Sequence, residues 1–105
     1  MSIKQTALTK AARGQECTIQ LYPYCNGNPE TTVLAHAPSE YKGMGIKSPD
    51  FWGADSCSTC HEIVDGRKKT DIPADEVYRC HMRGVFRTQL RRIEQGVIKV
   101  KGINL

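Results

Sequence analysis

The sequence of residues 57–65 is CSTCHEIVD, in which two cysteines lie three positions apart and a histidine directly follows the second. A Cys-x-x-Cys turn presents two sulfur atoms to one ion, and zinc prefers a tetrahedral shell of thiolate and imidazole ligands. Such a turn supplies only half of a zinc site, and Cys17 and Cys25 are the natural second pair. The sequence therefore predicts a structural Zn²⁺ held by Cys17, Cys25, Cys57 and Cys60.

The histidine and the carboxylate of the same segment can be interpreted in two ways. If four thiolates fill the zinc shell, His61 is available, and in a helix it projects from the same face as Asp65, four residues later. These two side chains could then hold a second divalent cation. The alternative is a single structural site, without a second metal, made of Cys57, Cys60, His61 and one of Cys17 or Cys25.

The composition is that of a small soluble protein. A chain of 105 residues suits one domain, and 39% of the residues are hydrophobic and 25% charged. No apolar run approaches the ~18 residues that cross a bilayer, and the start MSIKQTALTKAARG has no apolar signal-peptide core. We therefore expect a cytoplasmic protein without a membrane partner. In that reducing compartment, thiols are expected to bind metal or to lie in the core, as predicted for Cys80, rather than to form disulfides.

Positive charge is concentrated in the C-terminal part of the chain. Residues 1–65 carry five Lys/Arg against seven Asp/Glu, whereas residues 66–105 carry ten against four. This asymmetry suggests a polyanionic partner, although a solvated charged face has the same composition. We find no aromatic–basic interleaving of the kind that stacks single-stranded bases. The candidate nucleic-acid contacts are Arg67, Lys68, Lys69, Arg79, Arg83, Arg87 and Arg91.

Local patterns predict helices at both ends of the chain and strands in between. The segment IKQTALTKAARG predicts a helix that ends at Gly14, and ECTIQLYPYC and TTVLAH predict two strands joined by NGNP, the second ending at His36. Residues 37–56 are interrupted by Gly and Pro and predict a long functional loop. Ser58 or Thr59 is then expected to cap a short helix that runs through Asp65 and ends at Gly66.

Residues 74–95 predict a long helix, with acidic residues at its start and Gly96 just after its end. We interpret His81 as a core or surface residue without a catalytic role. The tail VIKV, residues 97–100, could add a short strand. Steps of three or four residues predict a buried apolar face of this helix made of Tyr78, Met82, Phe86, Leu90 and Ile93.

A strand ending in histidine, a loop and a CxxCH motif with a further ligand four residues on resemble the HNH, or ββα-metal, endonucleases in their cysteine-bearing form. More closely, KAARGQEC, CNGNPETTVLAH, CSTCHEIVD and EQGVIK resemble the prophage-encoded nuclease family typified by YbcO, over roughly residues 9–100. The resemblance implies an α+β fold: one small zinc-stabilised ββα-metal domain over residues 1–105, with an additional long C-terminal helix. Residues 1–13 would form a flexible or helical arm.

The same resemblance implies roles for individual residues. His36 would be the general base, and His61 and Asp65 would hold Mg²⁺ or a similar cation for cleavage of DNA to 5′ phosphates, in phage recombination or replication in the host cytoplasm. A homodimer is open, because a nuclease that cuts both strands often pairs.

The sequence also departs from the HNH pattern. Ala35 stands where many members have a metal-binding Asp or His, and Asp65 replaces the more usual His. The middle Asn that orients the base has no clear match, although Asp50, or else Asp55, could serve. These departures motivate a second hypothesis, a zinc-stabilised DNA-binding or adaptor module without catalytic activity.

Overall fold

The computed structural model describes residues 7–38 and 49–102 and shows a small α+β protein, as predicted. The described helices and strands follow the order α1 (Ala7–Ala11), β1 (Val33–His36), β2 (Gly53–Ser56), α2 (Ser58–Val64) and α3 (Ala74–Glu94). Short 3₁₀ turns at Pro29–Thr31 and Asp50–Trp52 precede the two strands. Within the described ranges, no helix combines the length and the apolar character needed to cross a membrane.

The two strands form an antiparallel sheet, with Val33 opposite Ser56 and His36 opposite Gly53. The prediction for β1 is confirmed, but β2 falls within residues 37–56, where we expected only loop. The sequence of β2, GADS, has no β-branched or aromatic residue, so it carries no local strand signal. The strand is instead fully buried by its neighbours. Residues 39–48 of the expected loop lie outside the described residues.

The expected strand ECTIQLYPYC is wrong, because residues 16–25 form bends and turns. The backbone amides of Tyr24 and Cys25 both donate to the carbonyl of Leu21, at 2.9 and 2.8 Å. Gln20 has a positive φ of 55°, which no strand tolerates. Backbone amides of this segment donate to cysteine sulfur atoms instead of to a neighbouring strand. The Thr18 amide joins the segment to β2 by donating to the Asp55 carbonyl at 2.8 Å.

The helix α2 ends as predicted, with Gly66 at φ 80° directly after its C-cap Asp65. The helix α1 ends at Ala11, and a turn separates it from the predicted end at Gly14, which has φ 78°. The N-cap of α2 differs from the expected Ser58 or Thr59. It is Cys57, whose Sγ accepts a hydrogen bond from the Cys60 amide at 3.4 Å. The cap is therefore part of the cysteine motif itself.

The long helix α3 is present where predicted, but the predicted buried face is wrong. Tyr78, Phe86 and Leu90 are 52%, 65% and 49% exposed. The reason lies at Gly84, where an added Cβ would be 2.9 Å from Ile19 Cγ1 and 3.2 Å from the Ala54 Cβ. Backbone packs directly on β2 there, so small and polar residues form the contact. The buried residues of α3 are Cys80, His81, Gly84, Val85, Thr88 and Arg92.

Polar groups under α3 are paired with one another. The Thr18 hydroxyl lies 3.0 to 3.1 Å from the Asp55 carbonyl, the Gly84 carbonyl and the Thr88 hydroxyl. The fully buried Asp55 carboxylate accepts hydrogen bonds from Arg91 and Arg92. Asp55 is thus part of the core.

The tail VIKV, residues 97–100, was predicted as a strand but forms bends and irregular structure.

Candidate metal centre and candidate active site

Four cysteines from two separate parts of the chain meet at one point. Cys17 and Cys25 come from the irregular segment before β1, Cys57 caps α2 and Cys60 lies in its first turn. Their four sulfur atoms all lie within 4.8 Å of one another. All five cysteines of the chain are free thiols, and the fifth, Cys80, is buried in the core as predicted. The predicted ligand set is therefore brought together, and it could hold a metal such as zinc.

Backbone amides surround these sulfur atoms. Those of Gln20 and Leu21 donate to the sulfur atoms of Cys17 and Cys60, at 3.5 and 3.4 Å. Such N–H···S contacts favour thiolates and orient them as ligands.

The thiols also hinder one another's ionisation. A hydrogen bond from Cys60 lowers the pKa of Cys17 to about 4, and the same contact raises the pKa of Cys60. Burial raises the pKa of Cys25 to about 11. The cluster therefore accommodates one thiolate readily but resists further negative charge. A divalent cation would supply the missing positive charge, so the donor set suits zinc.

His61 does not belong to the cysteine cluster. Its Nε2 lies 3.2 Å from Asp65 Oδ2, one helical turn later, so the imidazole and the carboxylate share a face of α2 as expected. The structure brings together four cysteines, and not the alternative ligand set of His61 with three cysteines. Within the described ranges, His61 and Asp65 form a pair rather than a group of three or more closely spaced ligands.

The His61 ring is part of a partly buried, electropositive corner. Burial lowers the pKa of His61, and the charges of Arg67 and His36 act in the same direction, while Asp65 opposes them. The Arg67 guanidinium lies 3.3 Å from Asp65 and 3.4 Å from His61 Nδ1. The neutral imidazole is favoured, and neutral imidazole is the form that binds metals.

His36 lies at the end of β1 and contacts Asp50, the residue that opens the turn before β2. The distance from His36 Nε2 to Asp50 Oδ1 is 2.6 Å. The other carboxylate oxygen, Oδ2, accepts a hydrogen bond from the hydroxyl of Thr9 in α1 at 2.7 Å. Asp50 is buried, so its carboxylate is held between the helix and the histidine. Asp50 and Asp55 were the two candidates for the residue that orients the base. The structure places Asp50 beside His36 and Asp55 in the core.

The predicted basic residues divide into two groups. Lys68 and Lys69 are exposed and line, with Asp65, an open groove of about 460 Å³. Three arginines of α3 contact the segment before β1: Arg83 donates to the Ile19 carbonyl at 2.9 Å, Arg87 to the Gln20 side chain at 3.2 Å and Arg91 to the Glu16 carbonyl at 3.0 Å. Arg79 is exposed and pairs with Glu76 on the same helix. Arg91 also pairs with Asp55, so its role is structural.

Sequence reasoning missed two residues of this region. Thr9 is a partner of Asp50, but a lone threonine in a short helix carries no signal of that contact. Arg92 is almost fully buried and pairs with Asp55, although an arginine in an amphipathic helix is typical of the solvated face. His81 is buried, with Nε2 3.0 Å from the Ala35 carbonyl, in agreement with its interpretation as a core or surface residue.

The fold and the site together define a class of protein: a small α+β protein with a four-cysteine cluster suited to a metal, beside two His–Asp pairs. Comparison with known proteins identifies its relatives. The family model described as "Putative nuclease YbcO" matches residues 6–97. The chain belongs to this family, which confirms the resemblance noted in the sequence.

Individual relatives agree with this assignment. The chain is 43% identical over 93 residues to "Putative nuclease YbcO" of Escherichia coli strain K12, covering 88% of this chain and 96% of that protein. The same figures hold for "Putative nuclease ybcO" of Enterobacteria phage 82. A solved structure of "a putative bacteriophage protein" from Escherichia coli K-12 MG1655 superimposes with a TM-score of 0.73 at 40% identity. It covers 85% of this chain and 99% of that one.

Proposed function

We propose that the protein is a metal-dependent endonuclease that hydrolyses DNA phosphodiester bonds, with β1, β2 and α2 as an HNH-type ββα-metal motif. The observation that carries the proposal is the 2.6 Å contact between His36 Nε2 and Asp50 Oδ1. It supplies the oriented histidine that the motif requires, with a carboxylate in the role usually taken by asparagine. The family description as a nuclease supports the same activity.

His36 acts as the general base in this proposal. A carboxylate that accepts one ring proton fixes the tautomer and makes the opposite ring nitrogen more basic. Asp50 is itself fixed by Thr9, so the ring of His36 is held in one orientation. A neutral imidazole can accept a proton from water, as phosphodiester hydrolysis requires.

His61 and Asp65 are the proposed ligands of a catalytic Mg²⁺ or similar cation. Their Nε2 and Oδ2 atoms lie 3.2 Å apart on one side of α2, and both side chains are about one third exposed. A divalent cation bound there would neutralise charge on the phosphate and on the departing 3′ oxygen. Arg67, beside both ligands, is placed to contact a phosphate oxygen.

DNA is the proposed partner, bound in part along the groove that Lys68 and Lys69 line beside Asp65. Both lysines are exposed, so their charges are available to phosphates. We further propose that the activity serves phage recombination or replication in the host cytoplasm, and that residues 1–105 act as one nuclease domain. A homodimer stays a prediction.

The test is cleavage of supercoiled plasmid with Mg²⁺ or Mn²⁺. We expect His36→Ala to reduce the rate by roughly 100-fold or more, because general-base catalysis contributes at least that factor. Asp50→Ala should reduce it as well, since alanine removes the acceptor that orients the His36 ring. Glu62→Gln, an exposed change on α2 next to His61, is the matched control and should keep activity. Equal cleavage by His36→Ala and wild type would contradict the proposal.

The second candidate function is a zinc-stabilised DNA-binding or adaptor module without catalysis. It is favoured by Ala35, which is fully buried where many HNH enzymes place a ligand, and by the small number of ligands at His61 and Asp65. Salt-sensitive binding without cleavage in Mg²⁺, Mn²⁺, Ni²⁺ and Zn²⁺ would select this candidate.

A further inference from the structure

The outward face of α3 combines exposed aromatic rings with arginines. Tyr78 and Phe86 are 52% and 65% exposed. They are eight residues apart, which is about 12 Å along a helix. The residues that line an open groove of about 500 Å³ on this face are Tyr78, Arg79, Met82, Arg83, Phe86 and Arg87. A soluble protein rarely leaves two neighbouring rings exposed without a partner for them.

Two arginines of this groove keep their positive charge while their side chains are held in place. Arg83 donates to the Ile19 carbonyl at 2.9 Å, and Arg87 donates to the Gln20 side-chain oxygen at 3.2 Å. Both acceptors are neutral, and neither arginine forms an ion pair with a described carboxylate. The guanidinium groups are therefore preorganised beside the rings, and their charge favours an anionic ligand.

The groove shares a lining residue with the groove beside the candidate active site. Tyr78 also lines the neighbouring groove that contains Asp65, Lys68 and Lys69. The two grooves therefore meet at Tyr78. A strand whose scissile phosphate lies at the cation proposed for His61 and Asp65 could pass Lys68 and Lys69, cross Tyr78 and continue along α3 towards Phe86.

We propose that this face of α3 binds single-stranded DNA, with bases stacked on Tyr78 and Phe86 and phosphates held by Arg83 and Arg87. The inference rests on the proposed nuclease function and adds its substrate class: DNA that is single-stranded next to the cleaved bond. Stacking on an aromatic side chain needs an open base face, which a duplex does not offer. A second copy of the chain suits the face poorly, because a twofold contact would bring like arginine charges together.

The test measures affinity for a fluorescently labelled oligothymidine and for a duplex of equal length, by anisotropy. The His36→Ala background without added Mg²⁺ prevents cleavage. Phe86→Leu keeps an apolar side chain but removes the ring, and we expect roughly tenfold weaker binding of the single strand. Phe86→Tyr should restore the affinity. Leu90→Ala, an exposed apolar change outside the groove on the same helix, should leave it unchanged.

Salt dependence separates stacking from charge. We expect Arg87→Gln to lower the slope of log affinity against log salt by about 0.7, the value for one phosphate contact with a single strand. Phe86→Leu should weaken binding with the slope unchanged. Duplex affinity should be the same in Phe86→Leu and its parent.

Three results would overturn the inference. One is equal single-strand affinity of Phe86→Leu and its parent, and another is a preference of the parent for the duplex. The third is a dimer, seen by sedimentation, that Phe86→Leu dissociates, since that would assign the face to a second copy. Plasmid cleavage that persists in Phe86→Leu with any of these results would leave the nuclease proposal intact. Conversely, ring-dependent binding without cleavage by the wild type would reject only the nuclease.

Discussion

Asp55 and Arg92 form an ion pair in the core, where neither side chain has access to water. Burial raises the pKa of Asp55, and Arg92 and Arg91 oppose that effect. The Asp55 backbone amide also donates a hydrogen bond to the Thr88 hydroxyl at 2.9 Å, which is a further contact between β2 and α3. The pair joins α3 to β2. Removing one partner of such a buried pair destabilises a protein more than replacing both partners with apolar side chains.

Asp55→Ala is predicted to destabilise the protein by about 3–5 kcal/mol, because Arg92 is left buried with an unpaired charge. Urea unfolding followed by circular dichroism measures the change. The control is Glu76→Ala, which breaks an exposed pair with Arg79 and should leave the unfolding midpoint unchanged. A similar midpoint for both variants would show that Arg92 finds another partner.

Residue type and spacing made some of these residues predictable and others not. The four cysteines were predictable because a CxxC pair needs further soft ligands. Asp50 was a candidate, with Asp55 as the alternative, because the resemblance to HNH endonucleases calls for a residue that orients the base. Arg92 and Thr9 were not predictable, since their partners lie about forty residues away in sequence or more. Only the folded chain brings such pairs together.

At the scale of elements, α3 shows why a helix can be predicted correctly and its buried face wrongly. Acidic residues after Pro73 and a glycine at position 96 mark its ends. Apolar spacing selects Tyr78 and Phe86 as core, but the helix packs on β2 through the opposite face, where the close contact at Gly84 leaves no room for a side chain. Because Tyr78 and Phe86 were assigned to the core, the alternation of exposed rings with arginines on this helix was not predicted. The strand β2 was missed for a related reason, since GADS is a strand only through its pairing and burial.

Gly84→Ala is predicted to destabilise the protein by about 1–3 kcal/mol, even though alanine favours a helix by ~1 kcal/mol over glycine. The new methyl group would lie 2.9 Å from Ile19 and 3.0 Å from the Thr18 hydroxyl, so α3 must move away from β2. Thermal unfolding measures the loss. Arg79→Ala, an exposed change on the same helix, controls for propensity and should not lower the midpoint. An increase in stability for Gly84→Ala would mean that this contact is loose.

At the scale of the whole molecule, the cysteine cluster joins the irregular segment before β1 to the start of α2. The segment from Cys17 to Cys25 has no regular secondary structure, and its backbone donors point to sulfur as well as to carbonyl groups. A core of this size yields a narrow margin of stability, so a metal that binds only the folded state contributes directly to folding. The meeting of these four cysteines is the part of the fold that the sequence predicted best.

Cys25→Ser is predicted to lose zinc and to unfold, because a hydroxyl is a poor replacement for a thiolate and metal binding is coupled to the folding of a small domain. His61→Ala should retain zinc and remain folded, since its ring pairs with Asp65 outside the cluster. Metal analysis of the purified variants, together with far-UV circular dichroism, measures both properties. Cys80→Ala is the matched control, a core cysteine outside the cluster that should keep its zinc. Loss of zinc from His61→Ala would place the imidazole in the structural shell and remove the ligand on which the proposed catalytic cation depends.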